Sequence, residues 1–173
     1  MTVTRLVHEA DGFLNFRHYA FRDGAHGHRW VDLRHLRLPA GPVGDRELLA
    51  ALIGHEQFRD DYMGGGVLPD GPRHGPFWLR LVTPEAYGAV DAEAAARVLR
   101  EWADRFGPVP AELEEDLRRE VFDRLGAADG VHVLSGLGRD AHHDWGPVHG
   151  EFHEFVVVDR AAGRVTLLVA ADD

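Results

Sequence analysis

The densest group of potential metal ligands in the sequence lies in one short segment and comprises Asp140, His142, His143, Asp144, His149, Glu151 and His153. On a β-strand, alternation would place His149, Glu151 and His153 on one face; on a helix, the two histidines, four residues apart, would again share a face. Two imidazoles and one carboxylate form a ligand set that catalytic zinc and non-haem iron sites use. The segment therefore predicts a divalent-metal site, zinc or iron, with His142 or His143 completing the ligand shell.

Metal-bound water would make hydrolysis the default reaction for zinc, and oxygen chemistry would be the default for iron. Trp145 lies inside the same segment and would line a substrate pocket. Other interpretations stay open: the histidines could be loop and strand-edge residues, or they could act without metal as an acid–base or pH-sensitive pair. Trp145 could be a loop anchor, and His26 and His28 could add ligands only if their turn folds against this segment.

Other common kinds of catalytic chemistry lack their residues in this sequence. The chain contains no cysteine and no lysine, which excludes thiolate nucleophiles, Schiff bases and phosphate-loop lysines. The one serine, Ser135, follows Val133, where a nucleophile elbow needs glycine. Gly136, Gly138 and Ala141 match the spacing of a dinucleotide fingerprint, but the helix and parallel strand that should follow are not predicted. We therefore assign no cofactor-binding residues apart from the possible divalent-metal ligands, and the identity of any cofactor stays open.

The formal net charge is −10, and all the basic residues are arginine. Such a charge repels the phosphate backbone, so we expect no nucleic-acid partner. No stretch has the apolar length of a membrane span, and the N-terminal residues lack a signal-peptide core, so we expect no membrane partner and a cytoplasmic location. The absence of cysteine is compatible with a reducing compartment.

By elimination, the sequence favours a binding protein with an acidic surface. Its partner would be a basic protein, as for an immunity protein bound to a cationic toxin, or a small ligand. The alternative is a small metal-dependent enzyme or metal-binding protein that uses residues 142–153.

The elements that would position these residues follow from hydrophobic periodicity and turn signals. Strands are predicted at 13–22, 29–38, 77–83, 131–135, 152–158 and 164–170. Helices are predicted from an N-cap at Asp45 to about Met63, from an N-cap at Asp91 to about Phe106, and around 113–125 with Gly126 as C-cap. The two C-terminal strands are almost continuously apolar, which indicates a central hairpin covered on both faces. The order β-β-α-β-α-α-β-β-β predicts an α+β fold with a mostly antiparallel sheet of about six strands and three helices, in a single domain spanning 1–173.

Overall fold

Within residues 3–173, which the computed structural model describes, the chain forms a six-stranded antiparallel sheet and three helices. The sheet strands are β1 (Val7–Asn15), β2 (Arg29–Arg37), β5 (Tyr87–Val90), β6 (Gly130–Leu134), β7 (Phe152–Asp159) and β8 (Arg164–Asp172). A separate small hairpin consists of β3 (Arg73–His74) and β4 (Phe77–Trp78). The predicted α+β class is confirmed.

The spatial order of the sheet is β1-β2-β8-β7-β6-β5, so the C-terminal hairpin is central, as predicted. Successive residues of a strand point to opposite faces, and both faces of this hairpin are covered. Phe155 and Leu168 pack on one side, and Val156 and Leu167 pack on the other. The continuous apolar runs of β7 and β8 follow from this two-sided burial.

Helices α2 (Ala92–Ala103) and α3 cover the first face. Helix α3 comprises Ala111–Leu117, a π-helical stretch Arg118–Phe122 and Asp123–Ala127. The predicted cap of α2 is confirmed, because the Asp91 carboxylate accepts a hydrogen bond from the backbone N–H of Ala94 at 2.7 Å. Leu99 and Trp102 of α2 and Leu117 of α3 are buried against the sheet. Each such side chain contributes roughly 1.5–3 kcal/mol through burial.

Helix α1 (Asp45–Ile53) and the long connection between α1 and β5 cover the second face, where Leu48, Phe58 and Leu79 are buried. Short 3₁₀ turns complete the structure at Phe16–His18, Arg22–Gly24, Glu56–Phe58, Leu79–Leu81, Pro84–Ala86, Arg139–Ala141 and Gly146–Val148. Among the helices of residues 3–173, none combines the length and the apolar character needed to cross a membrane.

The structure corrects three element predictions. Helix α1 ends at Ile53 rather than near Met63, because Gly54 closes it and the chain turns extended at His55, whose ring nitrogen caps the next 3₁₀ turn. Gly44, not Asp45, occupies the N-cap position. At the C-terminal end of α3, Gly126 lies inside the helix, and Ala128 is the C-cap.

Two strand predictions also had wrong bounds. The first strand is 7–15 rather than 13–22, because the chain leaves the sheet in a 3₁₀ turn that begins at Phe16. The predicted strand 77–83 contributes only β4, and a 3₁₀ turn follows in which Leu79 is buried. The edge strand that pairs with β6 is formed instead by Tyr87–Val90.

Candidate functional site

A cleft of about 370 Å³ opens on the second face of the sheet, beside β1 and β2. We call it the acidic cleft; its lining consists of Phe13, Asn15, Trp30, Asp32, Arg34, Asp60, Tyr62, Gly64, Gly66 and Asp173. These residues come from β1, β2, the loop after α1, and the residue that follows β8. The cleft is therefore assembled from segments that are distant in sequence.

Strand β2 supplies the floor of the acidic cleft through simple alternation. Val31 and Leu33 point into the helix-covered core, so Trp30, Asp32 and Arg34 point to the opposite face. Polar side chains on a strand next to the sheet centre become partly buried, and the side chain of Asp32 is only 17% exposed. Burial of these charges requires partners: Asp32 and Arg34 pair with each other, and Asp60 from the loop after α1 is a second partner of Arg34.

Arg34 is held by four groups at once. Its guanidinium forms ion pairs with the carboxylates of Asp60 and, at 3.2 Å, Asp32. It also donates to the carbonyl of Gln57 at 2.5 Å and lies 5.0 Å from the ring centroid of Tyr62. These contacts satisfy the buried cation and fix its position.

The carboxyl group of Asp32 has a pKa raised to about 6. Burial is the main cause, since desolvation disfavours the charged form, and it outweighs the attraction of Arg34. Its buried Oδ1 accepts no hydrogen bond of good geometry from the part of the chain that the structure describes. Asp32 is thus a poorly solvated carboxylate at the floor of an open cleft, which gains from any additional cation.

Tyr62 forms an aromatic wall of the acidic cleft in a strained backbone conformation. Its φ is +60°, which is uncommon for a residue with a side chain and costs of order 1–3 kcal/mol. The carboxylate of Asp60 accepts the Tyr62 N–H at 2.6 Å and holds this turn. The ring stacks on Trp30 with a centroid distance of 5.6 Å, and its buried hydroxyl has no hydrogen-bond partner within residues 3–173. Burial raises the pKa of this hydroxyl well above its ordinary value.

A fully buried polar group lies beneath Tyr62 and supports it. Glu154 of β7 forms short contacts with the ring Nε2 of His74 and with the hydroxyl of Tyr87. The His74 ring stacks on Phe58 at 3.5 Å and donates from Nδ1 to the Phe58 carbonyl at 2.6 Å. The Tyr62 ring meets the His74 ring edge-on at 6.0 Å. This network ties the hairpin β3–β4 to the sheet and stabilises one wall of the acidic cleft.

The structure brings Glu151 and His153 together but places the other predicted metal ligands apart. His149 is buried, donates from Nε2 to the Asp61 carbonyl at 3.0 Å, and lies against Trp30, so it supports the acidic cleft from behind. His143 is also buried, with Nε2 on the Gly75 carbonyl at 2.7 Å and Nδ1 accepting from a backbone N–H. Burial lowers the pKa of His143, which favours the neutral ring.

Glu151 and His153 pair with each other at 3.3 Å, and Arg105 binds Glu151 at 2.9 Å. Strand β7 begins only at Phe152, so the alternation expected from His149 onward does not apply. His149 packs against Phe152, whose side chain points to the second face, whereas His153 points to the face covered by the helices.

The remaining residues of the His-rich segment also lie apart. The ring of His142 packs against Phe77 at 5.2 Å, and Trp145 is 56% exposed and outside the acidic cleft. The ring of His26 lies 6.0 Å from Phe21. Over residues 3–173, no three His, Cys, Asp or Glu side chains converge in a metal-binding arrangement. Metal binding by these residues stays a prediction.

Searches of known protein families, of curated proteins and of solved structures found nothing that matches this chain.

Proposed function

We propose that this is a binding protein whose acidic cleft takes a cationic group, a guanidinium or an ammonium. The observation that carries the proposal is the composition of the cleft. Its lining holds three carboxylates, those of Asp32, Asp60 and Asp173, together with the rings of Trp30 and Tyr62. Arg34 pairs with two of these carboxylates, so the negative charges among these lining residues exceed the positive ones by two.

Electrostatics and packing support the same class of ligand. The Asp32 carboxylate is poorly hydrated, so it loses little solvation when a ligand cation approaches. A volume of about 370 Å³ is at the small end of ligand pockets and suits a single side chain or a small amine.

The cation has two sources that share this chemistry: a free small amine, or a basic side chain on the surface of a partner protein. The net charge of −10 favours association with a basic protein through long-range attraction. The immunity-type function expected from the sequence belongs to this second source.

NMR titration of ¹⁵N-labelled protein with Nα-acetylated arginine amide tests the proposal, and Nα-acetylated citrulline amide, its uncharged isostere, is the matched ligand control. We expect saturable shifts at Trp30 and Tyr62 with the acetylated arginine amide only. Asp32→Asn should weaken binding at least tenfold. Glu101→Gln removes the same charge from an exposed position of α2 and should change little. Equal shifts with both amides, or equal affinity in Asp32→Asn, would refute a cation site.

A second arm distinguishes the two sources. A ten-residue peptide with a central arginine and neutral flanks is titrated beside free Nα-acetylated arginine amide. Tighter binding by the peptide indicates a protein partner, because flanking backbone and side chains then add contacts. Equal affinities indicate a free small ligand, since only the cationic group is then recognised.

A further inference from the structure

A second pocket, of about 360 Å³, lies at the β3–β4 hairpin and has the opposite electrostatic character. Its lining consists of Arg59, Pro72, Trp78, Leu79 and Arg80, without a carboxylate among these residues. We call it the arginine–tryptophan pocket. In a chain with 29 acidic residues against 19 basic ones, such a lining departs from the average surface.

The indole of Trp78 is half-buried and held in place by its neighbours. The guanidinium carbons of Arg73 and Arg80 lie 5.8 and 5.6 Å from the ring centroid, and His143 meets the ring edge-on at 5.8 Å. The backbone N–H of Leu79 donates to the Pro72 carbonyl at 2.9 Å, which closes the pocket wall. The ring is therefore held in place with cationic groups over it, and a base that stacks on it takes the place of the exposed Arg80 guanidinium.

The two lining arginines keep free donors. Arg59 donates through one nitrogen to the Gly71 carbonyl at 2.6 Å, and Arg80 is exposed. Across residues 3–173, neither side chain has a carboxylate within 4.0 Å, whereas neighbouring Arg73 pairs with Asp61 at 3.6 Å. Most of the hydrogen-bonding capacity of both guanidinium groups faces solvent or the pocket. Guanidinium groups in this state bind carboxylate and phosphate oxygens in a two-pronged geometry.

We propose that the arginine–tryptophan pocket binds a nucleoside monophosphate, with the base stacked on Trp78 and the phosphate held by Arg59 and Arg80. The two guanidinium groups of Arg59 and Arg80 together carry two positive charges. These match the double negative charge of a phosphate monoester better than they match the single negative charge of a carboxylate ligand. Stacking of a base on an aromatic side chain contributes about 1–3 kcal/mol and tolerates any base. This site is independent of the acidic cleft, whose carboxylates would repel the same ligand.

Isothermal titration calorimetry at low salt with AMP tests the site, with adenosine and inorganic phosphate as separate probes of its two halves. We expect AMP to bind saturably, and each half-ligand to bind at least tenfold more weakly. Trp78→Leu and Arg80→Gln should each weaken AMP binding about tenfold or more. Arg97→Gln removes an arginine from an exposed position of α2 and should leave the affinity unchanged.

Absence of saturable AMP binding to the wild-type protein would overturn the proposal. Equal affinity for AMP and phosphate would overturn the stacked base, because an anion site alone would then explain binding. A loss in Arg97→Gln as large as in Arg80→Gln would also overturn it, since only general charge attraction would remain. Circular dichroism of each variant checks that the fold is retained, and Arg80→Gln, at an exposed position, keeps the test available if Trp78→Leu does not fold.

Discussion

Asp32→Asn should stabilise the protein at neutral pH while it weakens cation binding. The pKa of Asp32 rises from the ordinary 3.8 to about 6 in the folded chain, mainly because the group is buried. Each pKa unit corresponds to about 1.4 kcal/mol, so ionised Asp32 costs the folded state about 3 kcal/mol. Relaxation and the partial exposure of the side chain reduce this figure, and we expect a gain of about 1–3 kcal/mol for Asn at pH 8.

The sign of this effect depends on pH. Because the folded-state pKa is the higher one, the folded protein binds the proton more tightly between pH 3.8 and about 6. The stability of the wild-type protein from this group is therefore fully present below pH 3.8 and is lost as pH rises through about 6. The advantage of Asp32→Asn should be close to zero below pH 3.8, grow up to about pH 6, and stay constant above about pH 7.

Urea unfolding of both proteins at half-unit steps from pH 3.5 to 8 measures this difference directly. Glu101→Gln serves as the control for general charge effects, since the net charge of −10 is reduced equally. An Asn variant that is less stable than wild type at pH 8 would contradict the reasoning, because Asp32 would then be a net stabilising partner of Arg34. A difference independent of pH would contradict it as well.

Three further predictions concern groups that hold the fold. Glu154→Leu should lower the free energy of unfolding in urea by about 3–5 kcal/mol, because it leaves buried His74 and Tyr87 without their partner. Glu154→Gln should cost far less, since the amide can accept from the tyrosine and donate to the imidazole; equal losses would reject the hydrogen-bond explanation. Burial lowers the pKa of His35 to about 4, so its contribution to stability is present above pH 6.5 and is lost as pH falls to about 4. His35→Gln should flatten the pH dependence of the free energy of unfolding in that interval, and an unchanged pH dependence would exclude His35 as its source. Asp91→Ala should lower the stability of the fold by about 1 kcal/mol through loss of the α2 cap, as measured by thermal melting. Asp70→Ala, in an exposed loop, is the control, and an equal loss in that variant would count against the cap.

Strong local patterns carried most of the fold prediction. The apolar runs of β7 and β8 indicated two-sided burial, and Asp91 before a helical repeat indicated the start of α2; both are confirmed. The strand expected at 77–83 was wrong because alternating apolar residues there are buried by a short hairpin and a 3₁₀ turn. The true edge strand begins at Tyr87 in a segment with little periodicity.

The candidate site was harder to predict, for a physical reason. The His-rich segment is dense in sequence, but the acidic cleft joins β1, β2, the loop at 60–66 and Asp173, and only the strand order brings these together. One local signal was available. Asp32 and Arg34 alternate with Val31 and Leu33 in a predicted strand, so the two charged side chains share one face and required partners from elsewhere in the chain.

The pairing of β2 with β8 also bears on how the chain folds. Each residue of β2 pairs with one 127 to 143 positions later, from Arg37 with Arg164 to Arg29 with Asp172. Closing a loop of that length costs chain entropy before any contact compensates for it, and sheets built from such distant pairings fold in milliseconds to seconds. The β1–β2 hairpin and the β7–β8 hairpin are local and can form early, but their docking joins the two halves of the sheet. We expect this docking to be the slow step of refolding, and the acidic cleft, which spans the same junction, to form only after it.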